Sequence, residues 1–190
     1  MMMSRFVVPT VVAMSLLVAG CGSKKTVDEY LAIADAAAVE KDFESALANL
    51  DALVENHPDD TAGVQLASYK AAEIAWVELD DRERAGAYLS DVTVRTLYDA
   101  AEHAQAEGRP LLAVAAYEML MAKTPETPDA EKAMFMKGFV LSEQIKDVEG
   151  AKAVFAEFME VYPESELFES AKFMFETAGN DSLALALTQQ

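Results

Sequence analysis

From Val27 onward apolar residues recur at spacings of three and four rather than two, with many alanines and few β-branched runs. That pattern predicts helix throughout and an all-α fold. Self-comparison exposes a repeated frame. Ala46 precedes Pro58 by twelve positions, Ala113 precedes Pro125 by twelve, and Ala151 precedes Pro163 by twelve. Four residues after each alanine stands a large apolar residue (Leu50, Tyr117, Phe155), and seven after it another (Leu53, Leu120, Phe158). Offsets of four and seven share one helical face. The alanine lets a neighbouring helix approach, the large side chains fill the space beyond it, and the proline, unable to continue a helix, stops it. A further helix precedes each of these, so every unit is an antiparallel hairpin that cannot bury its apolar face alone and must stack on the next.

The frame divides 27–176 into hairpins at 27–58, 61–92, 94–125 and 128–163, closed by a capping helix at 165–176 and followed by a tail at 177–190. The alanine spacing is 38 between Ala113 and Ala151 but 67 between Ala46 and Ala113. A degenerate hairpin is therefore expected over 61–92, with Trp76 on its first helix and Ala85 and Leu89 on its second. A longer, irregular helical pair fits the same stretch equally well. Asp42 and Asp147 stand where N-caps belong, and Thr127-Pro128-Asp129 supplies a cap, a first-turn proline and a favourable charge. Glu107-Gly108 and Ala178-Gly179-Asn180 read as helix ends.

The arrangement resembles the tetratricopeptide repeat, a helical hairpin with a period of about 34 residues. Tyr30, Ile33 and Ala34 match its first helix, and Ala46, Leu50, Leu53 and Pro58 its second. The C-terminal unit matches best, through Phe135, Gly138, Ala151, Phe155, Phe158, Tyr162-Pro163, Ser165 and Ala171, with one residue more than usual between Gly138 and Ala151. The resemblance implies an α-solenoid, a tetratricopeptide-like array of stacked antiparallel helical hairpins. It also implies that first helices line a surface gripping an extended peptide or a partner's helix. On that surface it places Asp28, Leu31, Asp35, Tyr98, Glu102, Lys132, Phe135 and Phe139. These positions are mostly acidic or aromatic, which favours a basic or apolar protein segment as partner. Phe135 and Phe139 admit a second reading as core residues. The run Phe158 to Glu166 is similar to repeats of the barrel-assembly lipoprotein BamD and of the Tol-Pal-associated YbgF type, with residues 94–176 carrying most of the likeness. BamD-like proteins usually have five repeats, against about four here.

Before the helical body, Met1 to Arg5 is a short basic start and Phe6 to Ala19 an apolar run too short to span a bilayer. Residues 1–20 read as a secretory signal. Val18-Ala19-Gly20-Cys21 resembles the bacterial lipobox, which implies a covalent lipid on Cys21, the single cysteine of the chain, and a tether over 21–26. Gly22, where an Asp commonly retains lipoproteins in the inner membrane, points to the outer membrane and its periplasmic face in a double-membrane host. The expected partners are thus the membrane, through the lipid, and envelope proteins, in barrel assembly first and in wall or Tol-Pal machinery as the alternative.

Charge and side-chain chemistry narrow the field. The net charge is −18, and beyond Thr26 there are 12 basic against 33 acidic residues. With a pI near 4.3 the chain has no basic face for nucleic acid. His57 and His103 fall in different hairpins without metal-ligand spacing, and no phosphate loop, calcium loop or nucleophile motif occurs. Asp59-Asp60 and Asp80-Asp81 sit where turns and caps belong. Met119, Met121, Met134, Met136, Met159 and Met174 read as core filling. No enzyme and no cofactor other than the lipid are expected, and a ligand-binding lipoprotein or enzyme stands as the second alternative to the adaptor.

Overall fold

The computed structural model describes residues 24–180, so Cys21, the expected signal segment at 1–20 and the end of the tail lie outside it. Nine α-helices and no strand occur among the described residues: α1 (Val27–Val39), α2 (Phe43–Asn56), α3 (Thr61–Glu73), α4 (Arg82–Leu89), α5 (Val94–Ala106), α6 (Pro110–Lys123), α7 (Pro128–Val140), α8 (Val148–Val161) and α9 (Phe168–Thr177). Neighbours in sequence pack as neighbours in space, α1 on α2, α2 on α3, α3 on α4, α5 on α6, α6 on α7, α7 on α8 and α8 on α9, which is a helical solenoid.

The repeated frame is the packing frame. Ala46, Ala85, Ala113 and Ala151 are fully buried, one at the start of each second helix, and Leu50, Leu53, Tyr117, Leu120, Phe155 and Phe158 are buried beside them. Burying each such large side chain is worth roughly 1.5–3 kcal/mol. Pro58, Pro125 and Pro163 are exposed and directly follow the C-caps His57, Thr124 and Tyr162 of α2, α6 and α8. The methionines named above lie in or against the core clusters.

Within each hairpin the connection is the same. Five residues before the buried alanine the backbone turns left-handed, at Lys41 (φ 61°), Asp80 (φ 51°), Gly108 (φ 68°) and Lys146 (φ 63°). The next residue is the N-cap of the second helix, where Asp42, Asp81 and Asp147 accept hydrogen bonds from the N–H groups of Ser45, Arg84 and Gly150. Arg109 occupies that place in the third hairpin without a side-chain cap, and Pro110 follows at the first helical position. Thr26 and Glu29 form a capping box on α1, and Thr127 caps α7. Asp60 caps α3.

The extra residue between Gly138 and Ala151 has a structural home. α7 runs on into a π-helical turn, Leu141–Ile145, and α3 runs on into another, Ile74–Glu78. The spacing from the buried small residue of the first helix to the buried alanine of the second is thirteen in these two hairpins (Ala72 to Ala85, Gly138 to Ala151). It is twelve in the two without a π turn (Ala34 to Ala46, Ala101 to Ala113). A π turn is how a helix absorbs one inserted residue without losing its hydrogen bonds.

Two elements differ from the sequence pattern. α4 has only eight residues where α2, α6 and α8 have fourteen. Its end is a chain of tight turns at Ser90, Asp91 and Val92 rather than a proline stop. The closing helix begins at Phe168 instead of Ser165, because the Ser165 hydroxyl and carbonyl accept from the N–H groups of Leu167 and Phe168 and hold a turn there. Ala171 of that helix is fully buried against the last hairpin.

Candidate functional site

The first helices form a row tied by polar contacts from each hairpin to the next. Lys70 on α3 donates to Asp35 on α1 at 2.7 Å. Gln65 accepts from the N–H of Thr93 at 2.8 Å, which pins the start of α5 to α3. The Tyr98 hydroxyl on α5 donates to the carbonyl of Asp129 on α7 at 3.0 Å, and Gln144 donates to Gln105 at 2.7 Å. Ser165 donates to Glu131. Each contact is individually modest, but together they tie a first helix to the first helix, cap or turn of the next unit and fix their relative rotation.

On this row the structure places the residues expected of a binding face as follows. Asp28, Asp35 and Glu102 are exposed, Asp35 with Lys70 as its partner. Leu31 is half-buried against the first core cluster. Tyr98 is half-buried, edge-on to Tyr117 with centroids 6.4 Å apart, and Lys132 lies over its ring at 4.9 Å. Burial, then the neighbouring Asp129 and Tyr117, push the Tyr98 phenol up to about 12. Phe135 turns its ring onto Phe155 and Phe158, at 5.6 and 6.0 Å, so it belongs to the packing of the fourth hairpin. Phe139 is half-buried and, with Phe135, Glu169, Phe173 and Met174, lines a depression of about 450 Å³ between α7 and α9. The structure thus brings Tyr98 and Lys132 together, and Phe135 and Phe139 into one depression. Asp28, Leu31 and Asp35 stand apart on α1.

A second depression, about 210 Å³, opens between α3 and α5, with Leu66, Tyr69, Lys70, Glu73, His103 and Arg109 on its walls. The Tyr69 hydroxyl donates to Glu73. Burial first, then the Glu73 charge, pushes the Tyr69 phenol far up, so it remains a neutral donor. His103 and Arg109 both pair with Glu107. Sequence reasoning missed this stretch of α3 because the frame of the second hairpin was ambiguous. The signal that would have fixed it is the Asp60 to Gly63 cap.

Among the described residues no group of three His, Cys, Asp or Glu side chains is placed to hold a metal ion. His57 closes α2 with its ring 2.7 Å from the Lys25 carbonyl and edge-on to Tyr30. No described helix is long and apolar enough to cross a membrane.

The sequence profile of the tetratricopeptide repeat matches residues 132–165. The chain carries a tetratricopeptide repeat. The matched stretch holds Phe135, Gly138, Ala151, Phe155 and Phe158, which pack in one core with Ala171, and the exposed stop residue Pro163. No curated protein and no solved structure gives a significant match. The repeat is a protein-interaction scaffold, which accords with a surface of partnered polar groups and shallow depressions.

Proposed function

We propose that this protein is a lipid-anchored, periplasm-facing adaptor that holds envelope proteins on its row of first helices, in outer-membrane-protein assembly of the BamD-like kind. The observation that carries this reading is the continuous row itself. Its exposed positions are acidic at α1 and α5, and its C-terminal part offers Phe139, Phe173 and Met174 around one depression. A partner segment with basic and apolar side chains complements both parts.

The lipid on Cys21 fits the seating of the chain that follows it. Lys24 donates to the carbonyl of Asn56, the Lys25 carbonyl faces His57, and Lys25 lies over the Tyr30 ring at 5.1 Å. Lys24 is three positions beyond Cys21, and at about 3.3–3.6 Å per residue an extended link reaches no more than roughly 11 Å. The anchor therefore keeps the first hairpin next to the bilayer, and α9 forms the end remote from the anchor along the array.

The test is labelling of living cells of the native host with an alkyne-tagged fatty acid, followed by membrane fractionation. The lipidated reading expects label on the wild-type chain in the outer-membrane fraction, and neither label nor membrane recovery for Cys21→Ser. An unlabelled wild-type chain recovered in the soluble fraction would contradict the anchor. Co-isolation of Tol-Pal or wall enzymes in place of barrel-assembly proteins would contradict the assembly role.

A further inference from the structure

The shortened α4 leaves a notch on the side formed by the second helices. Its volume is about 450 Å³, and it is lined by Trp76, Arg82, Gly86, Leu89, Ser90, Ala122 and Lys123. Three features set it apart. Its walls carry two cations and no carboxylate, although the whole chain has a net charge of −18. The depressions between α3 and α5, between α7 and α9, and along α8 each include at least one glutamate. Second, the notch holds Trp76, which comes from the π-helical turn after α3, and such turns are frequent at functional positions. Third, nothing lies within 4 Å of where a Cβ of Gly86 would stand, so the flank of α4 is open.

The side chains are held in place by contacts that leave their charge facing the notch. Trp76 Nε1 donates to Glu118 at 3.2 Å, and Lys137 reaches the other oxygen of Glu118 at 2.8 Å, which anchors the indole from behind. The Arg82 guanidinium lies 4.1 Å from the indole centroid. Its ion pair with Asp80, at 3.2 Å, joins two well-exposed side chains and is worth little. Lys123 Nζ donates to the Leu89 carbonyl at 2.7 Å, and that carbonyl takes one of its three protons. An ammonium and a guanidinium thus flank an aromatic and aliphatic floor.

We propose that this notch takes an acidic segment of a protein partner, seating a carboxylate between Arg82 and Lys123 and an apolar side chain against the partly buried Trp76 beside Gly86. Charge complementarity argues for it: a short acidic segment meets the two cations of the notch at close range, where charge-assisted hydrogen bonds are strong. An extended polyanion such as nucleic acid would instead be repelled by the acidic remainder of the surface. The site is separate from the first-helix row and takes the opposite charge, so the array holds two partners at once. It does not depend on the lipid anchor or on the identity of the partner on the row.

Trp76 is the single tryptophan of the chain, so its fluorescence reports the notch directly. The full chain in detergent is titrated with a short peptide carrying three glutamates around one phenylalanine, and with the same peptide rebuilt with glutamines or lysines. The glutamate peptide should give a saturable change in Trp76 emission, at least about tenfold tighter than the glutamine peptide. The lysine peptide should leave the emission unchanged. Arg82→Gln and Lys123→Met should each weaken the response about tenfold, with melting curves recorded for both. Arg82 is exposed, so its variant keeps the test valid if loss of the Lys123 to Leu89 contact unfolds the other. A glutamine or lysine peptide that binds as well, an emission change only with anionic lipid vesicles, or an undiminished response in a folded Arg82→Gln chain would overturn the proposal. So would the absence of any saturable change.

Discussion

A Cβ added at Gly138 would stand 2.8 Å from the ring of Phe155, closer than real contacts allow. Gly138→Ala should therefore cost about 1–3 kcal/mol, read as a lowered midpoint in urea with an unchanged slope. Gly86 is the counterpart, since it lies inside α4 with open space around it. Gly86→Ala should raise stability by about 0.5–1 kcal/mol through helix propensity alone. Tyr98 supplies a pH test. Its folded phenol is pushed up to about 12, against about 10 for a free one. The folded chain then keeps a proton that the unfolded chain releases, so its contribution is complete below pH 10 and is lost as pH rises through 12. Absorbance titration of the wild type against Tyr98→Phe should show one phenol ionising late, and stability falling less steeply above pH 10 in the variant. At this scale the sequence was legible where a residue acts through its own helix, as with Asp42, Asp147 and Thr127. It was not legible where a ring had to choose a side. Phe135 faces Phe155 because Gly138 lets that helix approach, a choice made by tertiary distance rather than by periodicity.

The four inner turns give the clearest element-level prediction. Each needs one residue with positive φ, and only the third hairpin supplies glycine, at Gly108. Left-handed backbone costs a residue with a side chain about 1–2 kcal/mol. Lys146→Gly should accordingly stabilise the fourth hairpin by about 1 kcal/mol, and Gly108→Ala should destabilise the third by a similar amount, both read from thermal melts. A result in which both changes are neutral would mean that the turns are not held in this conformation. Helix existence and the hairpin order were readable from the alanine-to-proline frame. The π turns were not, because one surplus residue between two helices is equally compatible with a longer loop. Nor was the meeting of Trp76, Arg82 and Lys123, which brings Lys123 to residues more than forty positions earlier beside a helix that ends early in a chain of tight turns.

As a whole the molecule is a stack in which each hairpin buries its face on the next and α9 closes the far end. Its net charge makes it self-repelling, and salt that screens this field should raise stability on moving from low to physiological ionic strength. The stack positions two surfaces of opposite preference, the acidic and aromatic row of first helices and the cationic notch beside α4. The central claim is that the first-helix row holds a protein partner in the envelope. The most direct measurement places a photo-crosslinking residue at Glu102 or Phe139 on that row, and at Ala48 or Ala156 on the exposed faces of α2 and α8, in living cells of the native host. The account predicts an adduct with the same envelope protein from Glu102 and Phe139, identified by mass spectrometry, and none from Ala48 or Ala156. Adducts of equal yield from all four positions, or from neither position on the row, would contradict it.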